Sequence, residues 1–317
     1  MTRSEHGSTV IADARADNLV DRLAPPALHP YLKLARFDRP IGAWLLLFPC
    51  WWSLALAELQ RGSAYPSPWF VLLFAIGAFV MRGAGCTWND IADRDFDARV
   101  ARTALRPIPS GQVSVRQALV FAVALSLVGL LVLVQFNRFT IVLGIASLAL
   151  VAVYPFAKRY TFWPQVVLGL TFKWGGLVGW TAVTGSLAMA PLLLYAGAVL
   201  WTIGYDTIYA HQDKEDDEML GLKSTALRFG AASTRWIAGF YAGAIALLSL
   251  AGALAGARWP TYAGLALAAM HFGWQVRTLD IDDPASCLVR FKSNRHVGWI
   301  VFLALVVDMT LAGAARS

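Results

Sequence analysis

The sequence is short of charged residues and of cysteine, and both shortages narrow its possible functions. Only 15% of its 317 residues are charged and 57% are hydrophobic, whereas a soluble domain carries roughly 25% charged residues. The three cysteines, Cys50, Cys86 and Cys287, have no metal-ligand spacing and form no even disulfide set. We therefore exclude a soluble domain, a disulfide scaffold and haem, iron–sulfur or structural zinc sites, and interpret Cys50 and Cys86 as packing residues.

We also expect no cleavable signal sequence, because the first 40 residues lack an apolar core followed by a small-residue cleavage site. We interpret residues 1–27 as a flexible tail and residues 28–317 as one membrane domain. Apolar stretches long enough to cross ~30 Å of hydrocarbon recur along this domain. The predicted fold is all-α, a polytopic membrane protein with nine transmembrane helices near residues 41–59, 68–88, 117–136, 138–157, 163–184, 189–209, 236–256, 260–277 and 297–315.

The basic residues lie mostly on one side of these spans. Of the 27 Lys and Arg residues, 21 belong to the N-terminal tail and to the connections after spans two, four, six and eight. The positive-inside rule places that side in the cytoplasm, so we expect a multi-pass protein of the cell inner (cytoplasmic) membrane. The net charge of +7 is then a topology signal. We expect the lipid bilayer as a partner, with no nucleic acid and no obligatory protein partner.

An acidic cluster follows the second span. Asn89, Asp93 and Asp97 are spaced four residues apart, so they share one face if the span continues as a helix. Carboxylates crowded at one membrane face repel each other unless a cation joins them. The cluster therefore indicates a hard cation such as Mg²⁺, which prefers carboxylate, carbonyl and phosphate oxygens.

A second acidic cluster follows the sixth span with the same spacing. It contains Asp213 and Asp217, and Asp206, seven residues before Asp213, is predicted to share their face. Two such faces on one side of the membrane suit Mg²⁺ ions that bridge to a diphosphate and make it a better leaving group. The alternative is a pair of solvated acidic loops, whose charge nearby Lys and Arg residues offset.

Basic residues in the same connections are candidates for holding phosphate groups, Arg through two hydrogen bonds and Lys as a point charge. A purely topological role is an equal alternative for each of them. These residues are Arg102, Arg106, Lys158, Arg159, Lys223 and Arg228.

Two cations lie inside apolar spans, where a charge costs several kcal/mol unless it faces a partner or a wet cavity. Arg82 lies seven residues before Asn89, about two helical turns deeper, and we expect it to line a cavity and meet an anion such as a substrate carboxylate. The same argument applies to Lys173, whose alternative is a partner such as Asp206 or Asp308.

A short repeat links the two halves of the chain. The sequence of residues 103–106, Thr-Ala-Leu-Arg, recurs at residues 225–228, and each copy follows an acidic cluster. Because the copies are four spans apart, they favour a duplicated four-helix unit.

The sequence resembles the UbiA superfamily of intramembrane prenyltransferases, in the branch that acts on 4-hydroxybenzoate. The resemblance covers most of the chain after residue 30. It rests on LARFDRPIGAWLLLFPCWWSLALA (34–57), MRGAGCTWNDIADRDFDARVARTALRPIPSG (81–111), YPFAKRYTFWPQ (154–165), YDTIYAHQDKEDDEMLGLKSTALRFG (205–230) and FKSNRHVGW (291–299).

The resemblance implies nine helices around a central cavity, Mg²⁺ as the cofactor, and transfer of a polyprenyl group from polyprenyl diphosphate to the ring of 4-hydroxybenzoate. The product is substituted ortho to the phenol, diphosphate is released, and the step belongs to ubiquinone biosynthesis. The family's acidic patterns fall on Asn89, Asp90, Asp93 and Asp97 and on Asp213 and Asp217, and its Tyr-x-x-x-Lys pattern falls on Tyr154 and Lys158. Lys173 departs from the uncharged polar residue expected in this branch.

The predicted site therefore has three groups of residues. For the metal they are Asn89, Asp93, Asp97, Asp213 and Asp217; for the diphosphate, Arg102, Arg106, Tyr154, Lys158 and Lys223; and for the aromatic substrate or the cavity, Arg82, Asp90 and Asp206. Asp206 is also a candidate for the base that removes the ring proton.

Three other functions stay open at this point. Another branch of the same family would use a different aromatic or quinone-precursor acceptor. A secondary transporter would explain charges within spans and a repeat, although its ion-binding groups should lie near the midplane and not at one face. A structural membrane subunit has no need for Asp at helical spacing beside Asn.

Overall fold

The computed structural model describes residues 18–100 and 103–314, and all regular structure in these ranges is helical. This confirms the predicted all-α class. The helices are α1 (Leu19–Leu23), α2 (His29–Leu34), α3 (Ile41–Arg61), α4 (Pro68–Asp97), α5 (Val115–Leu133), α6 (Arg138–Val153), α7 (Ala157–Tyr160), α8 (Pro164–Phe172), α9 (Gly175–Thr184), α10 (Met189–Ala210), α11 (Lys214–Met219), α12 (Thr225–Phe229), α13 (Ser233–Leu254), α14 (Trp259–Thr278) and α15 (Pro284–Ala314). Short 3₁₀ turns lie at Pro26–Leu28, Tyr154–Phe156, His211–Asp213 and Gly230–Ala232.

Helices occupy all the predicted spans within the described ranges. Seven helical segments there are long and apolar enough to cross a membrane, and α10 and α14 are not among them. The structure thus supports a multi-pass protein, while the count of nine crossings stays a prediction. The fifth predicted span is a pair of helices, because the helical path breaks at Lys173 and Trp174, between α8 and α9.

The chain divides into two compact units. The first comprises residues 1–40 and 80–127, and the second comprises residues 41–79 and 128–317. Helices α4 and α5 contribute residues to both units. The proposed tail at residues 1–27 stays a prediction; its last ten residues include α1, and the rest lies outside the described residues.

The first unit has a small apolar core that fixes the acidic end of α4. Leu34 at the end of α2 and Ile91 of α4 are buried in this core. The rings of Tyr31 and Phe121 pack edge to face beside it, with centroids 5.4 Å apart. Burying apolar surface stabilises the unit by about 25 cal/mol per Å², so this small cluster anchors α2, the end of α4 and the start of α5 to one another. Its buried members are Leu34, Ile91, Ile108, Val113 and Ala118.

The second unit contains a much larger core in which small residues let helices approach closely. Helix α3 packs against α9 and α15, and α10 packs against α13 and α8. A Cβ atom on Gly179 would lie 2.3 Å from the carbonyl oxygen of Cys50, and one on Gly298 would lie 2.0 Å from the Phe48 ring. Both distances are shorter than any van der Waals contact, so glycine is required where α9 and α15 meet α3.

Two buried tryptophans of this core have hydrogen-bond partners. Trp52 donates from Nε1 to the carbonyl oxygen of Gly298 at 2.9 Å, and Trp201 donates from Nε1 to Oδ1 of Asn294 at 2.7 Å. Such partners offset the cost of removing these donors from water. The three cysteines are buried thiols, which confirms the packing role predicted for Cys50 and Cys86.

The two copies of the Thr-Ala-Leu-Arg repeat fold differently. Residues 103–106 form turns, whereas Thr225–Phe229 is helix α12, which begins where the Ser224 hydroxyl accepts a hydrogen bond from the backbone N–H of Leu227 at 3.3 Å. A Ser at this position satisfies one of the donors that a helix start leaves open. The duplicated four-helix unit remains a prediction from sequence.

Candidate active-site residues

The first acidic cluster lies on the last turns of a long helix. Helix α4 runs unbroken from Pro68 to Asp97, so the predicted continuation of the second span through the cluster is confirmed. The Nδ2 group of Asn89 donates to Oδ2 of Asp93 at 3.2 Å. The two oxygen-bearing side chains therefore stand one turn apart on the same face, as their spacing predicted.

The last carboxylate of this cluster binds an arginine of the following loop. Nη1 of Arg106 lies 2.7 Å from Oδ2 of Asp97 and 3.4 Å from Oδ1 of Asp90. The Thr103 hydroxyl donates to the carbonyl oxygen of Asp97 at 2.8 Å and holds the loop against the helix end. Asp97 was predicted to bind metal and Arg106 to bind diphosphate, and in this structure the two side chains neutralise each other.

Asp90 is fully buried and binds a second arginine, Arg36. Nη2 of Arg36 lies 2.6 Å from Oδ1 of Asp90, whose side chain has 0% exposure. Burial acts to lower the pKa of Arg36, but the interactions with Asp90, Cys86 and Asp38 together outweigh it and the pKa is raised. We predicted Asp90 in the aromatic or cavity group, and the structure places it in an ion pair. Sequence reasoning missed Arg36, because its partner lies 54 residues away.

Two further predicted residues belong to the same part of the chain. Arg82 is partly buried on α4, about two turns before Asn89; its contact with a substrate carboxylate stays a prediction. Arg102 lies outside the described residues.

The second acidic cluster is divided among three elements. Asp206 belongs to α10, which ends at Ala210, Asp213 belongs to the 3₁₀ turn His211–Asp213, and Asp217 belongs to α11. These residues therefore do not lie on one uninterrupted α-helix, and their common face stays a prediction. A 3₁₀ turn has 3.0 residues per turn instead of 3.6, which changes the direction of the side chains after α10.

Basic residues of two connections meet this cluster within the second unit. Nζ of Lys158 lies 3.6 Å from Oδ1 of Asp217, a carboxylate that is only 6% exposed. The backbone N–H of Lys223 donates to the carbonyl oxygen of Lys158 at 2.9 Å, and that of Leu222 donates to the carbonyl oxygen of Asp217 at 2.8 Å. These hydrogen bonds bring together Lys158, Lys223 and Asp217, three of the predicted site residues.

The other predicted diphosphate residues of this unit lie close along the chain. Nζ of Lys223 donates to the carbonyl oxygen of Tyr160 at 3.3 Å and lies over the Phe162 ring. Tyr154 opens the 3₁₀ turn that leads to α7, and its ring packs against Phe172 with centroids 5.8 Å apart. The connection from Tyr154 to Phe162 is thus tied down by aromatic packing and by Lys223.

Lys173 is fully buried at the break between α8 and α9. Its Nζ donates to the carbonyl oxygen of Leu45 at 2.6 Å and lies 4.6 Å from the centre of the Trp201 ring. A desolvated cation over an aromatic face gains about 2 kcal/mol. Asp308, one of the partners considered for Lys173, accepts hydrogen bonds from the backbone N–H of Arg258 and from the Thr261 hydroxyl at the start of α14.

The donor set fits one particular mode of Mg²⁺ binding. Within residues 18–100 and 103–314, no group of three or more His, Cys, Asp or Glu side chains converges to hold a metal ion. Mg²⁺ is commonly bound by one or two carboxylates, with phosphate oxygens of a substrate and water completing its coordination. The adjacent Asn89 and Asp93 side chains, and Asp217 beside Lys158, match that mode in donor chemistry.

The chain has apolar helices of membrane-crossing length, and carboxylates and amides lie at helix ends beside Lys and Arg. These features define a polytopic membrane protein equipped to bind a cation and an anionic group. The sequence matches the UbiA prenyltransferase family over residues 46–306, and the chain belongs to this family. This confirms the family resemblance and removes the transporter and the structural subunit from consideration.

Two relatives are similar over nearly the whole chain. The 4-hydroxybenzoate polyprenyltransferase, mitochondrial, of Caenorhabditis elegans is 48% identical over 289 residues, which are 91% of this chain and 81% of the relative. The protein of the same name from Homo sapiens is 49% identical over 285 residues, which are 90% of this chain and 76% of the relative.

Solved structures share the fold. The apo structure of a UbiA homolog from Aeropyrum pernix K1 has a TM-score of 0.70 and 28% identity, covering 83% of this chain and 98% of the homolog. A UbiA homolog from Archaeoglobus fulgidus bound to GPP and Mg²⁺ has a TM-score of 0.64 and 18% identity, covering 90% of this chain and 99% of the homolog.

The expected location in a cell inner (cytoplasmic) membrane is wrong. The similar relatives are named mitochondrial, which points to the mitochondrial membrane. The charge asymmetry on which the expectation rested separates the two sides of a membrane, and it carries no information about which membrane that is. The multi-pass character is supported by the helices of membrane-crossing length.

Proposed function

We infer that this protein transfers a polyprenyl group from polyprenyl diphosphate to the ring of 4-hydroxybenzoate, ortho to the phenol, as a step of ubiquinone biosynthesis. Family membership and the names of relatives at 48% and 49% identity support the reaction. The observation that carries the chemistry is the meeting of Lys158, Lys223 and Asp217 in the second unit. A carboxylate can bind the metal ion, and a neighbouring lysine can bind the phosphate. A cation beside a carboxylate is therefore the minimal arrangement for a metal-bound phosphate.

We propose that the enzyme depends on Mg²⁺. Asn89 and Asp93 of the first cluster would hold Mg²⁺, and so would Asp213 and Asp217 of the second, because all four side chains offer hard oxygen donors. Asp97 belongs to this predicted group as well, once Arg106 has released it. When bound, Mg²⁺ supplies positive charge that neutralises the diphosphate and makes it a better leaving group.

The lysines bind and orient the diphosphate. Lys158 contributes a point charge. The backbone N–H of Lys223 donates a hydrogen bond to the carbonyl oxygen of Lys158 and so holds the Lys158 backbone in place. Tyr154 lies one helical turn before Lys158 and adds a hydroxyl donor. Since charge develops on the departing oxygen, donors that are already fixed in position stabilise the transition state without further rearrangement.

The ring is the nucleophile. As the bond between the allylic carbon and the diphosphate oxygen breaks, the ring carbon ortho to the phenol forms a bond to that allylic carbon, and loss of the ring proton then restores aromaticity. Arg82 orients the substrate carboxylate, and Asp206 is the candidate acceptor of the ring proton. The apolar surroundings of these helices exclude water that would otherwise capture the allylic cation.

Product analysis tests this function directly. Membranes containing the protein receive 4-hydroxybenzoate, Mg²⁺ and prenyl diphosphates of several lengths, and mass spectrometry identifies the products. We expect a prenylated hydroxybenzoate from the wild type and none from Asp93→Ala or Asp217→Ala. A panel of other aromatic and quinone-precursor acceptors tests the alternative branch: prenylation of one of these, with 4-hydroxybenzoate left unchanged, would contradict the proposed acceptor.

A further inference from the structure

We propose that Arg36 is a positioning residue for the metal-binding end of α4, which it controls through its ion pair with Asp90. This proposal rests on the proposed function, since it assigns Asn89 and Asp93 to Mg²⁺. It adds a residue, outside both acidic clusters and both lysine connections, on which the geometry of the first cluster depends.

The guanidinium of Arg36 joins two elements of the first unit. Its Nη2 lies 2.6 Å from Oδ1 of Asp90 on α4. Its Nη1 donates to the carbonyl oxygens of Lys33 at 3.1 Å and Leu34 at 3.3 Å, at the end of α2. A guanidinium is planar and presents five donors in a fixed fork, so one side chain holds the end of α2 and the acidic end of α4 in a set relation.

The backbone of Arg36 shows that this side chain is needed where it stands. The N–H of Phe37 donates to the carbonyl oxygen of Leu32 at 2.9 Å, and that of Arg36 donates to the carbonyl oxygen of Lys33 at 3.1 Å. These two bonds form a Schellman motif that ends α2, and its left-handed position normally belongs to Gly. Arg36 occupies that position with φ of 63°, and within the described ranges it is the only non-glycine residue with positive φ.

A strained residue persists only where surrounding contacts hold it, and such residues gather at functional sites. Glycine would end α2 without strain but would leave Asp90, which is fully buried, without its closest cation. The backbone at Arg36 is therefore strained, and the ion pair of its guanidinium with Asp90 offsets that strain. The Arg36 cation holds in place the turn of α4 that carries Asn89 and Asp93. Asn89 is next to Asp90 in sequence, and Asp93 is hydrogen-bonded to Asn89.

Arg36 acts through Asp90 and need not touch a substrate. Asp90 has Arg36 at 2.6 Å and Arg106 at 3.4 Å, and its other oxygen, Oδ2, is buried with no hydrogen-bond partner. A carboxylate engaged in this way is a fixed point of the helix. Partners that orient metal-binding side chains typically change metal affinity by about 10- to 100-fold when they are removed, which is the effect expected here.

The decisive variant is Arg36→Gly, because glycine suits the left-handed backbone, so the side chain with its guanidinium is removed without adding backbone strain. The full chain, reconstituted in lipid nanodiscs, is assayed in two ways. Thermal unfolding is followed with and without Mg²⁺ plus geranyl diphosphate in the absence of acceptor, and the Mg²⁺ concentration for half-maximal transfer is measured with acceptor. Arg94→Gln is the matched control, since Arg94 is also on α4 but forms an exposed pair with Asp95.

For Arg36→Gly we expect the half-maximal Mg²⁺ concentration to rise by about tenfold or more, and the stabilisation by Mg²⁺ and geranyl diphosphate to shrink in step. Arg94→Gln should match the wild type in both assays. Asp90→Asn should reproduce the Arg36→Gly effect, and the double variant should show little further loss, because residues that act through one interaction are not additive. Arg36→Lys should be intermediate, since one ammonium cannot serve both helix ends.

An unchanged Mg²⁺ dependence in Arg36→Gly would overturn the positioning role, provided the wild type is stabilised by Mg²⁺ and geranyl diphosphate. If the wild type itself shows neither stabilisation nor transfer, the proposed function fails instead. Should Arg36→Gly not fold, Asp90→Asn and Arg36→Lys decide the matter by the same two measurements, and wild-type values in both would equally overturn the proposal.

Discussion

The two acidic clusters hold their carboxylates in opposite ways. In the first unit, Asp90 and Asp97 are bound to arginines at 2.6 and 2.7 Å. In the second unit, Asp217 is paired with Lys158 at 3.6 Å, in short helical segments that follow α10. The first unit thus pairs two of its acids with arginines at hydrogen-bond distance, whereas the contact between Asp217 and Lys158 in the second unit is longer.

From this difference we infer two roles for the carboxylates: some hold the helices in place, and others bind the ligand. Two buried charges at hydrogen-bond distance are costly to separate, so Asp90 and Asp97 act first as structural anchors. A lysine is a flexible point charge, and its longer contact with Asp217 is readily exchanged for a phosphate. The sequence pattern treats all these acids alike, and only their partners distinguish them.

The largest expected effect is on Asp217, the acid that contacts a lysine. Asp217→Asn should lower the rate of prenyl transfer by about 100- to 1,000-fold, because it removes a charge that faces the reaction, while the unfolding midpoint without ligands changes little. Glu218→Gln, an exposed neighbour, should retain the wild-type rate. Comparable losses of transfer rate in both variants would show that any substitution in α11 impairs the enzyme, and they would contradict a specific role for Asp217.

A structural anchor should behave in the reverse manner. Arg106→Gln leaves the buried Asp97 carboxylate without its tight partner, and we expect the free energy of unfolding to fall by about 3 kcal/mol. Denaturant titration in detergent micelles measures this loss. Arg94→Gln, which breaks an exposed pair, should cost no more than about 1 kcal/mol; equal costs for the two variants would contradict the anchoring role of Asp97.

The two lysines of the second unit should differ in their effect on substrate binding. Lys158→Gln should raise KM for prenyl diphosphate by about tenfold, since a charged hydrogen bond is worth at least 1.4 kcal/mol. Lys223 is engaged with the Tyr160 carbonyl and the Phe162 ring, so Lys223→Gln should raise KM less. Steady-state kinetics with geranyl diphosphate separates the two, and a larger effect at Lys223 would reverse this assignment.

The smallest effect concerns a surface ion pair of the first unit. Lys33 lies 2.8 Å from Asp21 and lowers the pKa of that carboxyl from its ordinary value of 3.8, a shift that burial opposes and Asn18 reinforces. A lowered folded-state pKa stabilises the protein above the unfolded value, and the contribution disappears as pH falls through the folded value. Asp21→Asn should therefore lower the unfolding midpoint slightly at pH 7 and not at all near pH 2; a difference that persists unchanged at low pH would refute the ion pair as its cause.

Much of the fold could be predicted from hydrophobic runs. The span at 41–59 became α3 (Ile41–Arg61) and that at 189–209 became α10 (Met189–Ala210), because length and apolar content identify such helices. The break at Lys173 and Trp174 could not be predicted, since the apolar run continues through it. The partners of Lys173, Leu45 and Trp201, lie on other helices and leave no signal in the local sequence.

The types of residue in the site could be predicted from the sequence, but the ion pairs and hydrogen bonds between them could not. Spacing placed Asn89 beside Asp93, and a continuous helix made that true. The same rule does not apply unchanged to Asp213, because this residue belongs to a 3₁₀ turn and not to α10. Arg36 gave no local signal: its sequence position is that of a helix-ending glycine, and its role appears only when Asp90, 54 residues away, is seen in contact with it.

The central claim is that Asp93 and Asp217 each contribute to Mg²⁺-dependent binding of a prenyl diphosphate. The most direct test is equilibrium binding of radiolabelled geranyl diphosphate to the full chain in nanodiscs over a series of Mg²⁺ concentrations, without acceptor. The account predicts Mg²⁺-dependent binding by the wild type and its loss in both Asp93→Asn and Asp217→Asn. Wild-type binding by either variant at the same Mg²⁺ concentration would contradict it.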